Sequence, residues 1–438
     1  MDIITDFIDI PQDSILDASS RNENGILIIS ITLKLFPSHC PICNQICSHV
    51  KEYKLKHIKH SVLNHRKCII EYRARRFVCD HCNKTFYEEN PFVSLGHTMS
   101  NLTVLNVLNE LKESNATFAS AARHNFISPT KAQEIFDLYV RIPRQPLSPI
   151  ICIDEVYALK DNHSKYICIL LNFKSHEVID ILPERKKYSL LSYFDKLSSS
   201  ERDIVQYFVM DMYNVYRDVV HAKFKHAQIA VDSFHVVKNV NDALNRVRIR
   251  IMKGYKSGSV EYYLLKNFNW LLFEKEVREN KRKFNKRLNR YINYSQILDL
   301  ILAISHELNE AYQLKEKYLY FNDYSNYENA ELDLLDFLNT NQNTKVQEMI
   351  DIIKMLINWK NEIINSFIRI DGVRLSNGII ESRNYIVKLI KKTSNGYVNF
   401  ARFRNRCMYC MNKNALPNMA GFNAPLKMNG HVRGKYKK

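Results

Sequence analysis

Apolar and polar positions divide the chain into stretches of different period. Residues 26–35 read as one strand, and residues 37–95 hold a basic, β-prone segment between two Cys pairs. From Ser100 the period becomes helical, with Leu102, Leu105, Leu108 and Leu111 on one face. A second helical stretch over 117–124 stops at Asn125. A third begins at Ser128-Pro129, an N-cap followed by Pro at the first helical position, and runs to about Tyr139. Pro143, Pro146 and Pro149 mark a linker.

Beyond the linker the pattern is α/β. Residues 150–158, 165–173 and 177–182 read as three strands, and 188–197 as an amphipathic helix. Residues 203–210 form a fourth strand that runs into Asp211. A short fifth strand, 227–231, precedes another helix. Three hairpin strands, then helix, strand, helix, strand, is the order of a ribonuclease-H-like sheet. Only helical patterns follow from about 243 to 369. Ser376-Asn377-Gly378 then caps a helix reaching about Thr393. The tail from Pro417 is rich in Gly, Pro, Asn and Lys and is expected to be disordered.

An apolar content of 46% provides for a sizeable core and argues against wholesale disorder. The formal net charge is +17, and it is clustered. Residues 244–291 carry 14 Lys/Arg against 4 Asp/Glu, and residues 382–438 carry 13 against none, so the remainder is net acidic. Clustered positive charge suits a phosphate backbone, which releases counterions when neutralised; a solvated basic surface is the alternative. Residues 1–17 lack a signal-peptide apolar region. The best apolar run, 25–36, is too short to span a bilayer. A cytoplasmic, bacterial protein with no membrane contact is expected, its ten Cys reduced or metal-bound.

Cys40-Pro-Ile-Cys43 and Cys79-Asp-His-Cys82 are two CxxC knuckles. Four thiolates complete a tetrahedral Zn2+ shell with no open position, which makes a structural site. A redox CxxC would not need the second pair. Cys407 and Cys410 have no partner pair and read as core residues. The helical pair after the knuckles resembles a helix-turn-helix, with Ala121 and Ala122 small enough for a close crossing. Its second helix offers Thr130, Lys131 and Gln133 to a major groove; an ordinary three-helix packing unit is the alternative.

Three acids carry the chemistry. Asp154 ends a strand of apolar residues, where an acid is costly unless paired or metal-bound. Asp211 ends another strand, and Glu381 lies in the first turn of a helix. Two strand-end acids and a helix acid can converge on a pair of Mg2+ (or Mn2+) ions for phosphoryl transfer. Each alone can be a turn cap or a helix-dipole partner. Glu155 and Asp232 are the acids most easily confused with the three. Lys388, two turns after Glu381, shares its helix face and can reach a phosphate, or is simply solvated.

The run Asp211-Met-Tyr, Tyr216-Arg217, Val231-Asp-Ser-Phe-His-Val-Val-Lys and Ala243-Leu-Asn-Arg-Val-Arg resembles the ISL-three family of insertion-sequence transposases. Asp232 and His235 match that family's C/D-x-x-H signature. Ser376-Asn-Gly-Ile-Ile-Glu-Ser-Arg-Asn and Phe400-Ala-Arg-Phe-Arg-Asn-Arg match its final acidic segment. The resemblance covers about residues 37–412. It implies a metal-binding triad of Asp154, Asp211 and Glu381, with His235 positioning the site or DNA. It also implies binding to double-stranded DNA at the element's terminal inverted repeats, action on target DNA, and a homo-oligomer on paired ends.

The expected architecture is an α/β catalytic core, a ribonuclease-H-like mixed sheet interrupted by an all-helical insertion. Its parts are an N-terminal β segment (1–36), zinc ribbon (37–95), helix-turn-helix (96–142), catalytic domain (147–242), helical insertion (243–370), final catalytic part (371–412) and basic flexible tail (413–438). The expected activity is DNA cleavage followed by strand transfer. A non-catalytic DNA-binding regulator and a structure-selective nuclease are the rivals.

Overall fold

The computed structural model describes residues 8, 10–62, 66–94, 97–157, 165–278 and 280–418. The end of the strand expected to reach Ala158, and the tail beyond residue 418, lie outside the described residues. The chain forms two compact units, Met1–Arg144 with Tyr385–Lys438, and Gln145–Asn384.

The first unit opens with a hairpin of β1 (Ile15–Glu23) and β2 (Ile26–Leu33). Asn24 and Gly25 both have positive φ, which a tight two-residue hairpin turn requires. Two short strands, β3 (Ser38–His39) and β4 (Ile46–Cys47), flank the first Cys pair. The long hairpin β5 (Val50–Val62) and β6 (Arg66–Val78) fills the gap between the pairs, and β7 (Thr85–Tyr87) adds to β6. The sheet runs β1-β2-β6-β5, with β2 and β6 parallel. Ile29, Ile31, Ile58, Ile70 and Tyr72 form its core.

Three helices follow: α1 (Asn101–Glu110), α2 (Phe118–His124) and α3 (Pro129–Tyr139). Thr117 and Ser120 form a reciprocal capping box at α2, and the Ser128 hydroxyl caps α3 ahead of Pro129. Ala121 and Ala122 are fully buried, and Phe118 meets Phe136 edge-on at 5.5 Å.

The second unit is built on five strands: β8 (Ile150–Tyr157), β9 (Tyr166–Asn172), β10 (Val178–Leu182), β11 (Tyr207–Met210) and β12 (Gln228–Val231). Helices α4 (Lys187–Asp195), α5 (Ser199–Asp203) and α6 (Asn214–Lys223) connect them. The sheet order is β10-β9-β8-β11-β12. The three hairpin strands are antiparallel, while β8, β11 and β12 are parallel. β11 and the first four residues of β8 are apolar and largely buried because helices cover them, but β8 continues through Asp154 and Glu155 to Tyr157, so Asp154, expected at a strand end, stands inside the strand. Leu190, Phe194, Val219 and Phe224 pack on one face.

A 21-residue helix, α7 (Ser233–Lys253), leaves the sheet with Val236, Val240, Ala243, Leu244 and Val247 on one stripe. Around that stripe pack α8 (Val260–Asn267), α9 (Tyr294–Ala303), α10 (His306–Tyr324), α11 (Ala330–Asn341), α12 (Gln347–Asn358) and α13 (Lys360–Asn365). The expectation of a wholly helical insertion needs correction. One short hairpin interrupts it, β13 (Lys283–Asn285) with β14 (Arg290–Ile292), and a second, β15 (Arg369–Ile370) with β16 (Val373–Arg374), lies at its end. Their turns are made by side chain and conformation, which apolar periodicity does not register. Asn285 Oδ1 accepts the Arg287 and Leu288 N–H groups, and Asp371-Gly372 has positive φ at both residues.

The last helices are α14 (Gly378–Thr393), within which the division between the units falls, and α15 (Phe400–Met411). In the first unit Arg402 pairs with Asp137 at 2.6 Å, and buried Arg406 donates to the Glu113 and Ala116 carbonyls. Among the described residues no helix is long and apolar enough to cross a membrane.

Candidate active site

Strand register assembles the site. Met210 on β11 stands opposite Ile153 on β8 and opposite Val231 on β12. The next residue of each strand is an acid: Asp154, Asp211 and Asp232. Adjacent strands lie about 4.8 Å apart, so three carboxylates leave neighbouring strands at one level.

Asp154 and Glu155 are sequence neighbours, and the pleat sends them to opposite faces. Asp154 is buried. Asn384 Nδ2 on α14 donates to its Oδ2 at 2.5 Å, and the Glu155 N–H donates to its Oδ1 at 2.7 Å. Glu155 is held elsewhere, in an ion pair with Arg185 and as acceptor of the Tyr216 hydroxyl at 3.0 Å. Arg185 lies over the rings of Tyr166 and Tyr213.

His235 enters from the first turn of α7. Its Nε2 is 3.2 Å from Asp211 Oδ2 and 4.0 Å from Asp232 Oδ2. Asp211, Asp232 and His235 each bring one ligand atom within 4.8 Å of the others, a spacing that can hold a metal ion. Asp211 Oδ1 and Asp232 Oδ2 are buried and accept no hydrogen bond. Burial, then the charges of Asp154, Asp232 and Glu155, pushes the Asp211 carboxyl up to about 8. Burial pushes Asp154 up to about 6 and also raises Asp232.

Glu381 lies in the first turn of α14 and is exposed. It is not in the Asp211–Asp232–His235 cluster, and neither is Asp154. The residue of α14 that meets Asp154 is Asn384, about 60° further around the helix. Lys388, further along α14, is exposed. Asn377, just before α14, is buried and donates to the Ile153 carbonyl at 3.2 Å, which ties the helix start to β8. Reading the sequence for acids passed over Asn377, Asn384, Tyr216 and Arg185. Both Asn residues stand in the Ser376–Asn384 motif around Glu381, and that motif was their only signal.

In the first unit the four Cys of the two knuckles converge. Cys40 Sγ is 3.6 Å from Cys82 Sγ, and Cys43 Sγ is 3.5 Å from Cys79 Sγ. The knuckles repeat one backbone pattern. Asn44 and Asn83, both at positive φ, donate to the carbonyls of Cys40 and Cys79 at 2.9 and 2.8 Å. The N–H at Cys82, ahead of the other contributions, lowers the Cys79 thiol to about 6. Buried Cys47 lies beside the group, and burial raises it to about 11. Cys407 is fully buried on α15, with Cys410 half-buried one turn on.

On α3, Thr130 is exposed and Gln133 half-buried; Lys131 Nζ pairs with Glu134 at 3.0 Å. No curated protein matches the chain. The model of a family described as transposase, the ISL-three type, matches residues 151–407, more than half of the 438-residue chain. That match takes in all five strands of the second unit's large sheet from Ile151 onward, the level acids Asp154, Asp211 and Asp232, His235 and α14. The chain belongs to the ISL-three family of transposases.

Proposed function

We propose that the protein is a DDE transposase of a bacterial insertion sequence, which binds terminal inverted repeats and performs metal-dependent DNA cleavage and strand transfer. The observation that carries this reading is the set of carboxylates at one level of the sheet around Asp211. Two of their oxygens are buried without a hydrogen-bond donor, and burial, then repulsion from the neighbouring carboxylates, raises Asp211. Such crowding of acids is stabilised by cations, and oxygen donors suit Mg2+ or Mn2+. The residues fit the group that the family implies.

In this reading Asp154, Asp211 and Glu381 hold the metal ions. Divalent cations bound there would supply the charge stabilisation that phosphoryl transfer needs. Asn384 and the Glu155 N–H orient Asp154 through its two oxygens, and Asn377 fixes the start of α14 to β8. His235 holds Asp211 from the other side. Arg185 and Tyr216 keep Glu155 apart from the reaction. The phosphodiester at the element end is hydrolysed first; the freed 3′-hydroxyl then attacks a target phosphodiester in line. At each step one P–O bond forms and one breaks.

The strand order of the second unit, with parallel β8, β11 and β12, supports a ribonuclease-H-like core over residues 147–242 and 371–412, with residues 243–370 as an insertion. In the first unit, Sγ separations of 3.5 and 3.6 Å approach the edge of a ZnS4 tetrahedron, about 3.8 Å for bonds of about 2.3 Å. They support a structural zinc ribbon over residues 37–95. The tight α2–α3 pair supports a helix-turn-helix over residues 96–142, with Thr130, Lys131 and Gln133 facing DNA. Subunits would assemble on paired ends, in the cytoplasm.

The test is incubation with the element's own ends, Mg2+ and a target plasmid. The wild type is expected to cleave and join. Asp211→Asn is expected to do neither while still binding the ends. Cleavage retained by Asp211→Asn would overturn the assignment, and cleavage without joining by the wild type would favour a nuclease.

A further inference from the structure

Between α8 and α9 the chain makes the small hairpin β13–β14. From Lys281 to Tyr291, six of eleven residues are Lys or Arg and none is acidic. All six are exposed, and none forms an ion pair with a described residue. Arg250 in the same unit behaves differently, since it is tied to Glu307 and Glu348. The hairpin cations are thus available to a partner that brings its own negative charge.

The hairpin also carries two rings. Phe284 and Tyr291 stand directly opposite one another across the strands, with ring centroids 5.3 Å apart. They are 48% and 69% exposed. Alternation puts them on the face opposite to Ile292, which is buried, and to Asn285, which donates to the Tyr263 hydroxyl at 3.2 Å. One face therefore anchors the hairpin, and the other presents the ring pair to solvent. The tip is built rather than loose. Asn285 Oδ1 accepts two N–H groups of the turn, Asn289 has a positive φ, and the Arg287 guanidinium donates to the Gly258 carbonyl.

A paired aromatic face on a hairpin whose strands and tip carry exposed cations outside ion pairs matches the chemistry of a nucleic-acid strand. Cations bind phosphate regardless of strandedness. Rings gain only where a base face is open, and a duplex hides its base faces in the stack. We infer that the β13–β14 hairpin is a binding site for unpaired DNA, with Phe284 and Tyr291 stacked on bases and the surrounding Lys and Arg on phosphates. The inference rests on the proposed function only in taking DNA as the nucleic acid.

Two measurements on the full chain test it. The first is anisotropy of a labelled thymine homopolymer and of a blunt duplex of equal length. The double variant Phe284→Ala/Tyr291→Ala is expected to bind the homopolymer about 5- to 150-fold more weakly, the equivalent of ~1–3 kcal/mol for a stacked base. Duplex affinity is expected to stay within about twofold, because the phosphate contacts that supply it are kept. Phe284→Tyr/Tyr291→Phe keeps both rings and is expected to bind like the wild type. Lys283→Gln/Arg290→Gln is expected to weaken both DNA forms and flatten the salt dependence. The second measurement needs no variant: an iodouracil-substituted homopolymer is expected to photocrosslink at Phe284 or Tyr291. Equal loss on both DNA forms, loss on neither, or crosslinks confined to other residues overturns the inference. Because binding is read without cleavage, a failed cleavage assignment at Asp211 leaves this test intact, and the converse holds.

Discussion

Asn384 offers a stringent test of how the site is held together. Its amide donates to Asp154 Oδ2 at 2.5 Å, and both residues are buried. Asn384→Ala removes the donor and leaves a carboxylate oxygen facing the interior unpaired. A hydrogen bond to a charged group contributes about 1.5–3 kcal/mol, so the variant should lose about 2 kcal/mol of stability. For a unit of this size that is about 6 °C in Tm, at about 3 °C per kcal/mol. The sharper readout is a double-mutant cycle with Asp154→Ala. If the amide acts through Asp154, its loss should cost little once Asp154 is gone, which leaves a coupling of about 1.5 kcal/mol or more. Thermal melts followed by circular dichroism supply all four corners. Cleavage should fall as well, because displacing a reacting group by about 1 Å can cost about 100-fold. Additivity within about 0.5 kcal/mol would refute the reasoning, since independent sites behave that way.

Glu381→Gln should behave in the opposite manner. Glu381 is exposed, so stability should stay within about 0.5 kcal/mol of wild type, while cleavage should drop about 100-fold or more if ~3 kcal/mol of charge stabilisation is lost. Cys43→Ser should abolish stoichiometric zinc, read by elemental analysis, and destabilise the sheet of the first unit in chelator-free melts; unchanged zinc content would count against the four-thiolate site. Lys315 on α10 is fully buried beside Glu316, and burial lowers its pKa. A base whose folded value lies below its unfolded value of about 10.4 takes up protons on unfolding, so stability rises with pH between the two. Relative to Lys315→Met, the wild type should therefore gain Tm from neutral to alkaline pH, and a parallel pair of curves would contradict this.

Local chemistry explains which parts of the fold were legible. The strands of the second unit announced themselves because central parallel strands carry buried apolar runs, residues 150–153 in β8 and 207–210 in β11; β11 ends at Asp211, whereas β8 continues past Asp154 to Tyr157. The capped start of α3 was equally plain, since Ser128 satisfies an N–H group through a side chain that the sequence displays ahead of Pro129; Thr117, read as the first residue of a helical stretch, turns out to be the cap of α2. The hairpins were not, because β13–β14 depends on Asn285 folding back on its own turn rather than on any alternation of apolar residues. Short strands of three residues offer too few positions for a period to emerge.

The site divides along the same line. Register alone sets Asp154, Asp211 and Asp232 level, because Met210 pairs with both Ile153 and Val231; pairing partners are invisible in a single sequence. Asp154 and Asp211 could be grouped from the sequence only through their like positions after apolar runs, and Asp232 stood apart from them; the folded sheet sets all three level. The helix contribution was harder still. Glu381 draws attention as an acid, yet Asn384, three residues on, makes the buried contact to Asp154. A neutral amide there is what electrostatics favours. A further carboxylate at 2.5 Å would add repulsion to a group that burial already pushes up to about 6, whereas an amide donates a hydrogen bond to the charged form without adding charge. Glu381, on the rim of the same helical turn, keeps its charge solvated, and the two residues together let α14 steady one acid while offering another.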